Sequence, residues 1–446
     1  MLVFISDLHF VDETAGKHNI PASAFENFLA NIKVHADKAK AKELKIIFLG
    51  DIFDILRTEA WFKEEEVDRP WGNNTAKMQE SARAILNEIE EKNRDTFKLF
   101  EPAAIGKRFG NIEAETVYIP GNHDRLCWLI DGLKGKVIEL LGLKDSNPEN
   151  FKLHFSNTDY GVYALHGHCF DKFNYEGGPN HTDKDYKIVP IGDPITTELI
   201  AKLPYKLMKN VEASGNLNPT ERENLKRNFQ EIENVRPFSA TLKWLLYQVE
   251  ANRGLKEIIE DTVDEVVKEF QELTFVKKWR DCHDRWYNPF DTADKIQGVL
   301  YFFEKFKVFS TGRLLDITDK ITALFGENEL AKGAANLFSK LDSRVQYIVM
   351  GHTHDPLKKA LALNREGGRI LEHVYLNTGT WRKRYHECRD GSDFIGWKDM
   401  TYVMLYTPEE KPNQHGLPVF ESWSGSLKRE ELHGVEEAEQ ATLKLW

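Results

Sequence analysis

Five short apolar runs in this chain each lead into a cluster of glycine, aspartate, asparagine and histidine. No other feature of the sequence restricts the fold as much. The runs are Leu2 to Ser6, Lys45 to Leu49, Thr116 to Ile119, Gly161 to Leu165 and Gln346 to Met350. Each is short and rich in β-branched or aromatic residues, which predicts a buried strand. A strand that runs into a polar, glycine-bearing loop is how mixed α/β folds place active sites at strand ends. Two later alternating runs, His373 to Leu376 and Met400 to Tyr406, read as further strands of the same or a second sheet.

Two stretches follow a different period. Between Arg57 and Asn111 the pattern is mostly helical, with Ala84, Ile85, Leu86 and Ile89 as an apolar stripe flanked by Glu and Lys. The second stretch runs from Ile188 to Leu341. There, Leu255, Ile258, Ile259, Val263, Val266, Val267 and Phe270 keep helical spacing, and Thr220 with Glu223 suggests a capping box after Pro219. Further helical runs are expected near Lys295 to Phe309, Arg313 to Phe325 and Asn328 to Leu341. The expected organisation is a core in two parts, residues 1–187 and 342–446, interrupted by a helical insertion or cap over 188–341. The Pro- and Glu-rich tail after about Glu409 carries no signal.

A length of 446 residues gives room for two or three domains. The formal charge of −11, from 71 acidic and 60 basic side chains, disfavours broad binding to nucleic acid or anionic membranes. Cys127, Cys169, Cys282 and Cys388 lie far apart with no CxxC pair, so neither a disulfide framework nor a structural zinc site is expected. Cys169 reads as a small packed residue. No apolar run approaches the ~20 residues of a membrane helix. The opening MLVFISDLHF is short, lacks a basic head and carries Asp7 and His9, so it reads as a strand rather than a leader. The expected location is the cytoplasm.

The clusters at the strand ends are Asp7-Leu8-His9, Gly50-Asp51-Ile52-Phe53-Asp54, Gly121-Asn122-His123-Asp124, His166-Gly167-His168 and Gly351-His352-Thr353-His354. They offer carboxylates, imidazoles and an amide but no thiolate. That donor set suits Mn, Fe or Zn in a site built for chemistry. It also holds more ligands than one ion needs, and a central carboxylate can bridge two ions ~3.5–4 Å apart. Asp7 and His9, two residues apart, would share a face of an extended chain. Taken singly, Asp7, Asp51 and Asn122 read as cap or turn residues, and His123 as a structural imidazole. Their joint occurrence favours the metal reading.

These five motifs, in this order, resemble the calcineurin-like metallophosphoesterase superfamily over roughly residues 1–190 and 342–407. The resemblance implies an α+β fold, a four-layered α/β/β/α sandwich, with the helical stretch as an insertion. It implies two divalent metal ions, Mn preferred and Fe or Zn as alternatives. Asp7, His9 and His354 would hold one ion, Asn122, His166 and His352 the other, and Asp51 would bridge them. A water or hydroxide between the metals would attack phosphorus. His123 would act as general acid, Asp54 would orient that histidine, and Asp124 would support the loop.

The nearest branch resembles UDP-diacylglucosamine pyrophosphohydrolases, on Gly50 to Asp54, Gly351 to Pro356 and Leu376-Asn377-Thr378-Gly379-Thr380-Trp381. Two departures are His123, where those hydrolases usually carry Arg, and the large insertion. The expected activity is hydrolysis of a phosphomonoester, phosphodiester or pyrophosphate bond in a phosphorylated small-molecule or nucleotide substrate. Arg57, Arg125 and His168 are candidate substrate contacts, the arginines as bidentate phosphate clamps. Lys17 and His18 read as solvated loop cations. Nucleases of the double-strand-break repair type share the motifs and His123. Lys277, Lys278, Trp279, Arg280, Arg285 and Trp286 could stack and neutralise a single strand, although an amphipathic helix end accounts for them more simply. Nucleic acid is therefore an alternative substrate, not the favoured one. A non-catalytic scaffold is the third reading, disfavoured because every expected ligand position is filled.

Overall fold

Alternation along the first three strands decides what each face of their sheet meets. The computed structural model describes residues 1–178, 181–215, 217–236, 240–248, 253–283, 328–366 and 369–430. Strands β1 (Leu2–Ile5), β2 (Glu43–Leu49) and β3 (Glu113–Ile119) pair in parallel, in the order β3-β2-β1. Val3, Ile5, Ile46, Phe48 and Tyr118 point to one side. They pack against helices Ala22–Ala39 and Ala76–Lys98 through residues such as Phe25, Phe28, Ile85 and Ile89. Leu2, Phe4, Ile47, Leu49, Val117 and Ile119 point to the other side and form an apolar layer with a second sheet.

That second sheet contains β4 (Phe155–Asn157), β5 (Val162–Ala164), β7 (Tyr347–Met350), β8 (Leu357–Glu366) and β9 (Arg369–Asn377), in the order β4-β5-β7-β9-β8. Its three central strands are parallel and its two edges antiparallel. The first sheet continues past β1 through β11 (Phe394–Tyr406), β10 (Lys383–Glu387) and β6 (Val235–Arg236), with β12 (Val419–Glu430) on β11. The molecule is thus a mixed α+β structure with two mixed sheets packed face to face. Helix Asn328–Phe338 covers the outer face of the second sheet, where Leu330, Ala331 and Ala334 meet Ile348, Met350 and Tyr375.

The stretch 188–341 is less uniform than its helical spacing suggests. Helices Lys202–Ser214, Pro219–Gln230 and Arg253–Glu272 share a core of their own, including Leu207, Phe229, Ile259, Val263 and Phe270. Tyr385 and Phe394 of the first sheet join that core. The stretch also supplies β6, a two-residue strand pairing β10 at Tyr385 and His386. The capping box is Asn218 with Glu221, two residues earlier than Thr220 and Glu223, because Pro219 takes the first helical position. The runs Lys295 to Phe309 and Arg313 to Phe325 lie outside the described residues. The tail beyond Glu409 was expected to carry no signal, yet β12 pairs β11 from Gly396 to Tyr406. No helix among the described residues is long and apolar enough to cross a membrane.

Candidate metal centre

All five motifs begin where a parallel strand ends: after β1, β2, β3, β5 and β7. The two sheets therefore deliver them to one rim. The backbone there is not extended. Asp7, His9, Asp51, His352 and His354 have φ of 52°, 46°, 52°, 72° and 66°. These are half of the ten non-glycine residues with positive φ among those described. The extended-chain account of Asp7 and His9 is therefore wrong: a left-handed turn, with Leu8 buried between them, turns both side chains inward. Backbone held in this region marks a place where the surroundings over-determine the conformation. Two glycines permit the crowding. A Cβ on Gly121 would fall against the Asp51 carboxylate, and one on Gly351 against Ser6 and Asp7.

Three overlapping groups of candidate ligands result: Asp7, His9 and His354; Asp51, His166 and His352; and His9, Asp54 and His123. In the first, His354 Nε2 lies 3.5 Å from Asp7 Oδ1 and 3.0 Å from His9 Nε2. Asp51 Oδ2 lies 3.8 Å from His9 Nε2 and 3.2 Å from His166 Nε2, so one carboxylate oxygen stands between the first and second groups. Asp54 occupies the third, with His9 Nδ1 on one oxygen and His123 Nδ1 on the other, each at 3.0 Å.

Charge follows from this packing. Burial and the nearby Asp51 push Asp7 up to about 6, while burial pulls His9 down to about 3. Burial opposes charge on His123 too, but Asp54 and Asp51 outweigh it and lift His123 to about 9. His166 rises to about 9 for the same reason, against Asp51 and Asp7. Burial also works against the Asp51 and Asp54 carboxylates. Even so, His166 and His123 hold Asp51, and Arg57 and His123 hold Asp54, well below the usual range.

Asp124 faces away from these groups and accepts the backbone N–H of Gly121 (2.9 Å), Phe53 (3.0 Å) and Ile52 (3.3 Å), tying two motif loops together. The substrate candidates are engaged elsewhere. Arg57 is buried, with its guanidinium on Asp54 and Glu233. Arg125 is buried on Asp193 (2.6 Å) and the Pro70 carbonyl (2.9 Å). Both are neutralised by carboxylates, which leaves neither as a free phosphate clamp. His168 is fully buried, 3.2 Å from His181 Nε2, and does not face solvent. His18 is no solvated cation: it is buried, with Nε2 3.0 Å from the Gln230 carbonyl. Lys17 is exposed. In helix Thr274–His283, Trp279 is buried, donates to Glu176 and stacks on His283, while Lys277 pairs with Glu272. Arg285 and Trp286 lie outside the described residues.

Several contributors carry no motif of their own. Thr380 Oγ1 donates to the Asp7 carbonyl (2.6 Å), and Asn377 Nδ2 to the Gly351 carbonyl (2.6 Å). The Asn377-to-Trp381 segment thus braces two of the strand-end motifs. Asp171 Oδ2 lies 2.9 Å from His352 Nε2 and accepts from Asn174 Nδ2 (2.8 Å), while Asn174 Oδ1 accepts from Asn122 Nδ2 (3.2 Å). Asp171 follows His166-Gly167-His168 by three residues, and that proximity was the only available signal. Glu233 and Arg236 come from the insertion, where no local pattern points to them.

The donor set fits divalent cations. Among the described residues, Asn122 Oδ1 of the second expected ligand set is buried without a hydrogen-bond partner, and His166 Nε2 of the same set has only the Asp51 carboxylate beside it, at 3.2 Å. Buried polar atoms left so are uncommon and call for an absent partner such as an ion. His166 Nδ1 donates to the Leu49 carbonyl (2.9 Å), which turns Nε2 toward Asp51. His9 Nδ1 lies between Asp54 Oδ2 (3.0 Å) and Arg57 Nη2 (2.9 Å), which leaves its Nε2 facing Asp7 and Asp51. No family model, curated protein or solved structure matches the chain.

Proposed function

We infer that the chain is a binuclear metal-dependent phosphoesterase of the calcineurin-like kind. It hydrolyses a phosphomonoester, phosphodiester or pyrophosphate bond in a small or nucleotide-linked substrate. The observation that carries this reading is Asp51 Oδ2, shared between His9 Nε2 and His166 Nε2. The succession of helices, sheet, sheet and helix also supports it, as the four-layered sandwich of that superfamily. Asp7, His9 and His354 would hold one ion and Asn122, His166 and His352 the other, with Asp51 between them. Mn²⁺ is the preferred metal, with Fe or Zn accepted by the same donors. The ions would polarise phosphoryl oxygens and make water acidic enough to attack at neutral pH.

The chain's own residues supply the rest. Asp54 takes Nδ1–H of His123 and fixes the ring, so Nε2–H is free to reach a leaving oxygen. A value near 9 keeps His123 protonated at neutral pH, as a general acid requires. Four free cysteines, Cys127, Cys169, Cys282 and Cys388, suit a reducing, cytoplasmic setting.

The test is a hydrolysis panel on Mn²⁺-loaded protein, with Asp51→Asn as the blank. It compares phosphomonoesters, diesters, nucleotide pyrophosphates and single-stranded DNA. Turnover of small substrates with intact DNA is expected. Efficient DNA cleavage abolished by Asp51→Asn would replace the reading with a nuclease. Two bound ions without turnover on any phosphoester would leave a scaffold.

A further inference from the structure

Core and insertion meet beside His354 in a group of guanidinium side chains. Arg236, on β6, places Nη2 2.8 Å from His354 Nδ1 and gives Nη1 to the carbonyls of Glu233 (2.7 Å) and Val235 (2.9 Å). Among the described residues it has no carboxylate partner within ion-pair distance. Arg382 is 2% exposed and gives Nη2 to Glu233, while its Nε and Nη1 have no partner among the described residues. Arg384 is spent on Asp355 and Asp399, and Arg57 on Asp54 and Glu233. The facing carboxylates are thus already shared. Buried donors without acceptors beside like charges are costly unless an anion joins them.

The histidine adds a second argument. A guanidinium only donates, so His354 Nδ1 accepts from Arg236 and the neutral ring carries its proton on Nε2. Yet Nε2 is the nitrogen that faces Asp7 and His9. Metal ligation through Nε2 requires the proton on Nδ1 instead. Arg236 would then lose that acceptor, and its Nη2 would be available to an anion beside the centre.

We propose that Arg236 and Arg382 form an anion subsite next to the metal centre, which takes the second phosphate of a pyrophosphate-linked substrate. This rests on the phosphoesterase reading and narrows its substrate class from phosphoesters in general to diphosphates.

The first measurement is calorimetric titration of the EDTA-treated full chain with inorganic pyrophosphate. Wild type binds, and Arg236→Gln and Arg382→Gln bind at least about tenfold more weakly, the loss of one charge-assisted bond. Arg236→Gln removes no ion pair and serves if Arg382→Gln fails to fold. Equal binding by wild type and Arg236→Gln overturns the subsite. The second measurement uses Mn²⁺-loaded protein. Arg236→Gln should raise KM for a nucleoside diphosphate sugar at least about tenfold more than KM for p-nitrophenyl phosphate. Equal changes on both substrates overturn the proposal. Pyrophosphate binding that depends on Arg236, without turnover of any phosphoester, supports the subsite and sinks the phosphoesterase reading. Turnover with binding indifferent to Arg236 does the reverse.

Discussion

His166 and His354 each face a buried carboxylate of the centre, Asp51 and Asp7, yet they are held by different means. His166 is fixed by a bond to the Leu49 carbonyl at the end of β2, and its neighbour His352 by Asp171. Every one of those groups belongs to the two sheets or the loop just after β5. His354 is held by Arg236, and His9 through Asp54 by Arg57, which reaches Glu233. Glu233 and Arg236 come from the insertion. The second half of the centre is therefore self-contained within the core, while the first half depends on a chain of buried charges that crosses into the insertion. Buried charge networks tolerate the loss of one member poorly, and hydrogen-bonded loops lose less.

Asp51 Oδ2 stands between the two halves, and removing its charge should have the largest effect. Asp51→Asn takes the shared oxygen from both groups at once. Stabilisation of several kcal/mol by a metal pair corresponds to about 10³-fold or more in rate. Metal content by mass spectrometry should fall together with turnover. Full content of both ions in Asp51→Asn would mean that the halves are independent sites and that Asp51 bridges nothing.

Glu233→Ala breaks the comparison on one side. It leaves the buried guanidinia of Arg57 and Arg382 without their shared carboxylate, a loss of about 3–5 kcal/mol. Denaturant unfolding should register the fall. Cation binding to the first half should weaken while the second half keeps its affinity. Equal weakening of both halves would show that the insertion supports the centre as a whole.

His18 gives the same dependence a pH signature. Burial holds it at about 4, below the ordinary 6.5, so the neutral ring docks on the Gln230 carbonyl of the insertion. The unfolded chain takes up this proton first. Stability from this group is fully present above pH 6.5 and is lost as pH falls toward 4, by up to about 3 kcal/mol. The gap between wild type and His18→Gln in unfolding free energy should narrow over that window. A constant gap would mean that His18 does not dock as a neutral ring.

What could be read from the sequence follows the same division. The strand-end motifs were legible because each pairs a short apolar run with an adjacent polar cluster, and β1, β2, β3, β5 and β7 fall where those runs lie. The turn that aims Asp7 and His9 was not, since alternation reports strands and is silent on a positive φ. Arg57 and Arg125 looked like phosphate clamps because Glu233, which with nearby Asp54 neutralises Arg57, and Asp193, which neutralises Arg125, lie 176 and 68 residues away. Pairings across such a distance leave no local trace. β12 escaped notice for a related reason: its Ser, Gly, Lys and Glu weaken the alternation, and it is held by its register with β11.

The smallest effect belongs to the self-contained half and sharpens the contrast most. Asp171 holds His352 through Nε2 and, by way of Asn174, Asn122. One loop therefore orients two expected ligands that arrive from β7 and β3. Asp171→Asn keeps the shape but loses the charge that fixes the His352 tautomer. Outer partners of this kind are worth about 10–100-fold in metal affinity. Competition with a chelator should reveal that loss for one ion only, with unfolding free energy close to wild type, because no buried cation is stranded. Were both ions to weaken, the halves would be coupled through more than Asp51. A large loss of stability would put Asp171 among the structural charges, and the division between a charge-braced half and a hydrogen-bonded half would fail.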